Sequence, residues 1–423
     1  MSAGVDERRM SALYRFPIQV DGYDYRAICL FFACLVYALF GSPTPDRFTM
    51  VEGAVGALLC LAVGIGRARD AVIDGGVSGV MRQRFWKSAG HVYLIYGLSV
   101  PVMVGALSGN DASVMARDIV PFLFLFLPLL LLPLIRARPY YFRAILVAVL
   151  IIGMMFSFRS IIMRFMDGCA VWCIDELLYL ENMPTVLFTA LFLIGTGMSV
   201  LMRGINVRRV LVFVGLGVLS MIPVISMVVT LQRASLGAVA IYIAALMLFF
   251  IWKRPVRGFG VVAIFFAALA VIGISLGGVY APLWDKTHKV GLNMRVEEFL
   301  AVWNVITVHP FTFLFGLGWG GQFHSPAVGG LRVNFTHNFF STVLLKTGVL
   351  GVIFCISYIV GLLERLSRVV LVNKVFGLAL VAPILIDLTL YASFKSLDFG
   401  LMLLLISASL IYFRQSNFST SYG

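Results

Sequence analysis

The chain has 423 residues, of which 61% are hydrophobic and only 13% charged, and its mean hydropathy is +0.98. Soluble domains are about half apolar and about a quarter charged; the excess here is gathered into runs long enough to cross a bilayer, which excludes a soluble globular protein. The net charge of +13 sits in short clusters between those runs, as basic residues that orient membrane helices do, so it does not mark a nucleic-acid surface.

Residues 1–26 form a polar tail with Arg8, Arg9, Arg15 and Arg26. It lacks the short apolar core and small-residue cleavage site of a signal peptide, so none is expected. Apolar runs follow at 27–41, 48–66, 91–107, 119–135, 144–162, 185–202 and 210–230, then an eighth ending at Trp252 and a ninth reaching Val279. After a long polar stretch come a tenth run at 338–363, an eleventh, and a twelfth ending at Phe413. Basic clusters punctuate them at Arg67–Lys87, Arg136–Arg143, Arg203–Arg209, Lys253–Arg257 and Arg365–Lys374, whereas the loop 163–184 carries Asp167, Asp175, Glu176 and Glu181. With the N-terminus inside and one crossing per run, every basic cluster falls inside, and the acidic loop and the long stretch fall outside.

The expected fold is therefore all-α: a polytopic membrane bundle of about twelve transmembrane helices. Residues 1–26 and 414–423 are cytoplasmic tails, 27–279 hold helices one to nine, 280–337 form a long outer loop containing an amphipathic helix, and 338–413 hold the last three helices. Cys29, Cys34, Cys60 and Cys355 lie in apolar runs and serve as small hydrophobes. Cys169 and Cys173 share the acidic outer loop, where a disulfide can form. No cysteine or histidine spacing matches a metal site, so neither metal nor cofactor is expected.

The outer stretch concentrates the chemistry. Leu292, Val296, Phe299, Leu300, Trp303 and Ile306 recur with a helical period, and Arg295 borders that stripe while Glu297, Glu298 and Asn304 lie away from it. Such a helix rests on the membrane surface with Trp303 at the interface; on periodicity alone, Arg295 reads as an arginine that merely snorkels. His309 and Pro310 end it, and a glycine-rich loop from Gly316 to Gly321 follows. ATP is not available on the outer face, so that loop is not expected to cradle a nucleotide. His337 opens span ten, with Thr336 as the expected N-cap and Asn338 beside it, and the positive end of the helix dipole keeps its imidazole neutral and able to act as a general base. Arg233 sits in the short turn between spans seven and eight, where it either snorkels to headgroups or lines a cavity that receives phosphate. Arg233, Arg295, Arg332 and His337 share the outer face. Asp387, inside span eleven, is expected to be structural, and Glu52 reaches the interface from the start of span two.

The block from Arg295 to Leu350 resembles the bacterial O-antigen ligase and polysaccharide polymerase family. The matching pattern is Arg295, Trp303, His309-Pro310, Gly316-Leu317-Gly318-Trp319-Gly320, Thr336-His337-Asn338 and Lys346-Thr347-Gly348-Val349-Leu350-Gly351, with Gln232-Arg233-Ala234-Ser235-Leu236-Gly237 similar to the family's upstream arginine motif. Lys346 departs from the acidic residue or glutamine that many relatives carry, so the resemblance assigns it no role. The resemblance implies a metal-independent, inverting glycosyltransferase that moves an undecaprenyl-pyrophosphate-linked oligosaccharide onto a glycan or lipid A core acceptor at the periplasmic face of the inner membrane. Arg233 and Arg295 would hold the pyrophosphate, and His337 would take the proton of the acceptor hydroxyl. Trp303, Arg332 and Asn338 complete the expected substrate site. The expected partners are the lipid bilayer and other polysaccharide assembly proteins, such as a chain-length regulator. The competing readings are a transporter or flippase of lipid-linked oligosaccharide and a non-catalytic membrane scaffold.

Overall fold

In hydrocarbon a chain must satisfy its own backbone polar groups, so apolar runs of this length fold as helices. A computed structural model describes residues 22–41, 49–75, 85–165, 180–273, 294–390 and 395–420. Its helices are α1 (Gly22–Phe40), α2 (Met50–Val63), α3 (Ile65–Gly75), α4 (Phe85–Leu107), α5 (Ala112–Phe124), α6 (Leu127–Ala137), α7 (Tyr141–Phe165), α8 (Pro184–Met202), α9 (Val207–Val229), α10 (Arg233–Lys253) and α11 (Pro255–Gly273). After these come α12 (Arg295–Ile306), α13 (Pro310–Phe315), a hairpin of β1 (Phe323–Ser325) and β2 (Leu331–Val333), and then α14 (Phe339–Val372), α15 (Lys374–Thr389) and α16 (Leu397–Thr420).

The polytopic helical architecture is as expected, with one addition: the outer stretch also contains a small antiparallel hairpin, in which Phe323 pairs with Val333. Among the described residues nine helices are long and apolar enough to cross a membrane, ten if α2 and α3, bent by 75° at Gly64, count as one broken span. That is fewer than the expected twelve because α15 has only 16 residues and the described apolar part of α11 is Pro255–Ala267. Cys169 and Cys173 lie outside the described residues.

Polar side chains start the helices where the sequence turns. Thr49 and Glu52 form a capping box at α2, Asp111 caps α5, and Asn206, Asn338 and Asn373 cap α9, α14 and α15. Basic residues gather at one end of the bundle. There Arg138 bonds Asp24, Arg143 donates to the Tyr412 hydroxyl at 2.7 Å, Phe142 meets Phe376 and Phe413, and Lys374 lies 4.4 Å from the Phe249 ring centroid. At the other end the interior holds buried polar groups that are paired, as hydrocarbon requires. The Asp398 carboxylate accepts from Tyr37 at 2.8 Å and Thr185 at 2.6 Å, while Arg159 donates to the carbonyls of Ala38 and Gly41 that close α1. The segment from α12 to β2 sits on this end, anchored by a small core of Val302, Ile306, Phe323, Leu344 and Leu345.

Candidate functional site

The glycine-rich loop is built to lock, not to cradle. Pro101 has no N–H, so the Gly97 carbonyl one turn earlier in α4 is left without a helical partner. The Trp319 indole donates to that carbonyl at 2.7 Å, and the Trp319 backbone N–H donates to the Pro101 carbonyl at 3.0 Å. On the other side α14 breaks at Gly348, whose φ of 64 is left-handed. The carbonyls this frees, of Leu345 and Lys346, accept from Leu317 N at 2.9 Å and Gly318 N at 3.1 Å. Gly320 N donates to Asp118 at 2.9 Å, Gly321 N to the Gly318 carbonyl at 3.2 Å, and the Asn110 amide to the carbonyls of Leu317 and Trp319. The N–H groups from 317 to 321 are thus all engaged within the protein. Glycine is required where the loop touches the bundle: a Cβ on Gly318, at φ +74, would stand 2.2 Å from Gly105 N.

Lys346 has a place that its sequence context did not reveal. It is fully buried, pairs with the Asp118 carboxylate of α5 and donates to the Gly321 carbonyl at 2.7 Å. Two charges taken out of water are tolerable only when paired and hydrogen-bonded, and removing one partner of such a pair costs about 3–5 kcal/mol. Lys395 approaches the same carboxylate at 3.4 Å.

The second half of the site hangs on Glu298. It lies on the face of α12 turned to the protein, with its side chain 2% exposed. Its carboxylate accepts from Ser325 Oγ at 2.7 Å, from the His337 backbone N–H at 2.8 Å, and from His337 Nδ1, which is 3.2 Å from both oxygens. Burial pushes the Glu298 carboxyl up, but the bonds from His337 and Ser325 outweigh that and hold it below its ordinary value. An ionised carboxylate only accepts, so Nδ1 carries the proton and Nε2 is left as the basic nitrogen. Such a carboxylate orients the imidazole and steadies the imidazolium that forms when Nε2 takes a proton.

The expected N-cap is corrected: Asn338, not Thr336, caps α14, accepting from Phe340 N at 2.9 Å and Ser341 N at 3.3 Å. Thr336 is buried instead, with its hydroxyl among Asn338 O, Ser341 and Thr342. His337 therefore precedes the helix, and its ring lies against the Glu298 carboxylate.

Arg295 is the first residue of α12, one helical turn before Glu298 and on the same flank. Its Nε is buried with no hydrogen-bond partner among the described residues. Arg233 opens α10. Tyr242 donates to the Val375 carbonyl and Lys374 sits over Phe249, so α10 and α15 run antiparallel from the basic end. Both continue for about 20 Å, at 1.5 Å per residue, to the other end. There Thr389 closes α15 and its carbonyl accepts from the Asn338 amide at 3.3 Å. Arg233, Asn338 and His337 thus share one end of the bundle. Gln232, beside Arg233, is buried with neither amide atom bonded among the described residues. Trp303 is on the outer face of α12, ringed by Phe299 and Phe313, and Arg332 is exposed on β2 opposite His324. The geometry brings neither into the Glu298–His337 pair.

Sequence reasoning missed Glu298, Asp118, Lys346 and Lys395. Glu298 stands one turn from Arg295, on the side of α12 away from its apolar stripe, where the sequence gives it no mark that a solvated glutamate would lack. No three His, Cys, Asp or Glu side chains converge as a metal set among the described residues. Neither a scan against protein-family models nor a search of curated proteins finds a match to the chain.

Proposed function

We propose that the chain is a metal-independent, inverting membrane glycosyltransferase. It moves an undecaprenyl-pyrophosphate-linked glycan onto a sugar hydroxyl, as a polysaccharide polymerase or an O-antigen ligase does, at the periplasmic face of a bacterial inner membrane with both termini cytoplasmic. The observation that carries this reading is the Glu298–His337 pair: a carboxylate-buttressed imidazole whose Nε2 takes no hydrogen bond among the described residues, one helical turn from an arginine whose Nε has no partner among them either.

In the reaction, His337 Nε2 takes the acceptor hydroxyl proton as that oxygen attacks the anomeric carbon. The bond from the anomeric carbon to the pyrophosphate oxygen breaks, and undecaprenyl pyrophosphate leaves with the electron pair. Arg295, with Arg233 from α10, stabilises the charge that grows on it. A transporter of the same lipid-linked glycan is the alternative. Transporter sites lie near the bilayer midplane, whereas these groups gather at one end of the bundle, which favours transfer.

Reconstitution with a purified lipid-linked glycan and an acceptor tests this. Wild type is expected to release undecaprenyl pyrophosphate, with the rate lowered by about 10²-fold or more in His337→Ala and Arg295→Ala. Undiminished release in both variants would overturn the mechanism. Supplying lipid A core or a second lipid-linked repeat as acceptor separates ligase from polymerase.

A further inference from the structure

The Asp118 cluster carries an excess of positive charge, with the Phe335 ring between it and the proposed base. Asp118 is already neutralised by buried Lys346 and also accepts from Gly320 N. A second lysine, Lys395, is 3.4 Å from its other oxygen, yet Lys395 remains 23% exposed where the partner carboxylate is 2% exposed. One carboxylate thus faces two ammonium groups, and Lys395 is among the residues lining a small, mostly apolar cleft between the glycine-rich loop and the bundle, with Tyr93, Asp118, Trp319, Phe339 and Lys346. The Lys395 ammonium also lies 5.5 Å from the Phe335 ring centroid, and that ring is 6.0 Å from the His337 ring. A cation held this way, partly dried and only half compensated, attracts an anion more strongly than a solvated lysine does.

We infer that Lys395 is an oxyanion-binding residue, held by Asp118 and Phe335 beside the cleft for a phosphate or carboxylate group carried by the substrate that reacts at His337. The word substrate rests on the glycosyl-transfer reading; the anion site itself rests on the lysine cluster alone. Phosphate would come from the lipid pyrophosphate or a phosphorylated sugar, and carboxylate from an acidic sugar.

The test is lysine acylation of the full-length protein in detergent, read by mass spectrometry at each lysine. Inorganic pyrophosphate, glucuronate and neutral glucose are compared at matched ionic strength. Pyrophosphate or glucuronate is expected to slow modification of Lys395 several-fold, with Lys253 and Lys374 at the far end unchanged. Protection by pyrophosphate alone assigns phosphate chemistry, and protection by glucuronate assigns an acidic sugar. Calorimetry of the protecting anion should show about tenfold weaker binding in Lys395→Gln and near wild-type binding in Lys395→Arg, the scale of one charge-assisted contact. Equal modification of Lys395 with all three probes, or unchanged affinity in a folded Lys395→Gln, would overturn the inference. The two readings fail separately. Protection of Lys395 in a protein that never releases undecaprenyl pyrophosphate removes the transfer reading and leaves the anion site. Transfer that depends on His337 without protection of Lys395 does the reverse.

Discussion

Glu298 accepts hydrogen bonds from a strand, from the backbone before α14 and from an imidazole, so one carboxylate fixes three segments at once. Its pKa lies below the ordinary 4.5, so the ionised form is the one the fold stabilises. That stabilisation is complete above 4.5 and is lost as pH falls through the lower folded value. Protection of the α12 amides against hydrogen exchange should accordingly hold above 4.5 and weaken as pH falls below it. Glu298→Gln should exchange faster at neutral pH and show no such step. It should also lower kcat by about 10²–10⁴-fold if His337 is the base; wild-type kcat in the folded variant would count against that role. Arg295 and His337 were legible in the sequence because such residue types are conspicuous at the ends of apolar runs. Glu298 was not, since a helical wheel groups it with Glu297 among the solvated charges, and only the hairpin carrying Ser325 encloses it. Asp118 and Lys346 were illegible for a different reason. They are 228 positions apart, and each alone looks like an ordinary charge near the end of a span.

At the scale of elements, two broken helices and one loop depend on each other. Pro101 in α4 and Gly348 in α14 each release carbonyls, and the chain from Leu317 to Gly321 occupies them. A side chain at Gly318 has no room and the wrong backbone region, so Gly318→Ala should destabilise by about 2 kcal/mol or more. Gly217→Ala in α9, where an added Cβ meets nothing within 4 Å, should be neutral or slightly stabilising. Thermal aggregation midpoints of the detergent-solubilised variants, followed by size-exclusion chromatography, measure the difference; equal midpoints would mean the loop is not a lock. The loop's glycines and the two helix breakers are plain in the sequence, but their pairing is not, because nothing local says which carbonyls a given N–H will meet. The order of the helices was legible from hydropathy, whereas α15 is short for a full span at 16 residues.

Taken as one body, the molecule turns an unusual surface outward at its loop end. The α12 stripe read from the sequence is real, but its members Val296, Phe299, Leu300 and Trp303 are exposed, and Phe311 and Leu314 of α13 continue the patch. The face that packs on the bundle is the one with Glu298, Val302 and Ile306. An apolar face beside spanning helices belongs in the headgroup region. Spin labels at Val296, Leu300 and Phe311 in a reconstituted protein should be more accessible to oxygen than to a water-soluble nickel reagent, and a label at Arg332 the reverse. Uniformly aqueous accessibility would place the patch away from lipid.

The bond from the Trp319 indole to Gly97 has a further consequence, for biogenesis. It joins residues 222 positions apart, so α4 enters the bilayer long before its partner has been synthesised. Until the C-terminal half arrives, the Gly97 carbonyl of α4 lacks both a helical donor and the Trp319 indole. The emerging chain thus carries an unmet acceptor that is satisfied only when the glycine-rich loop docks on α4.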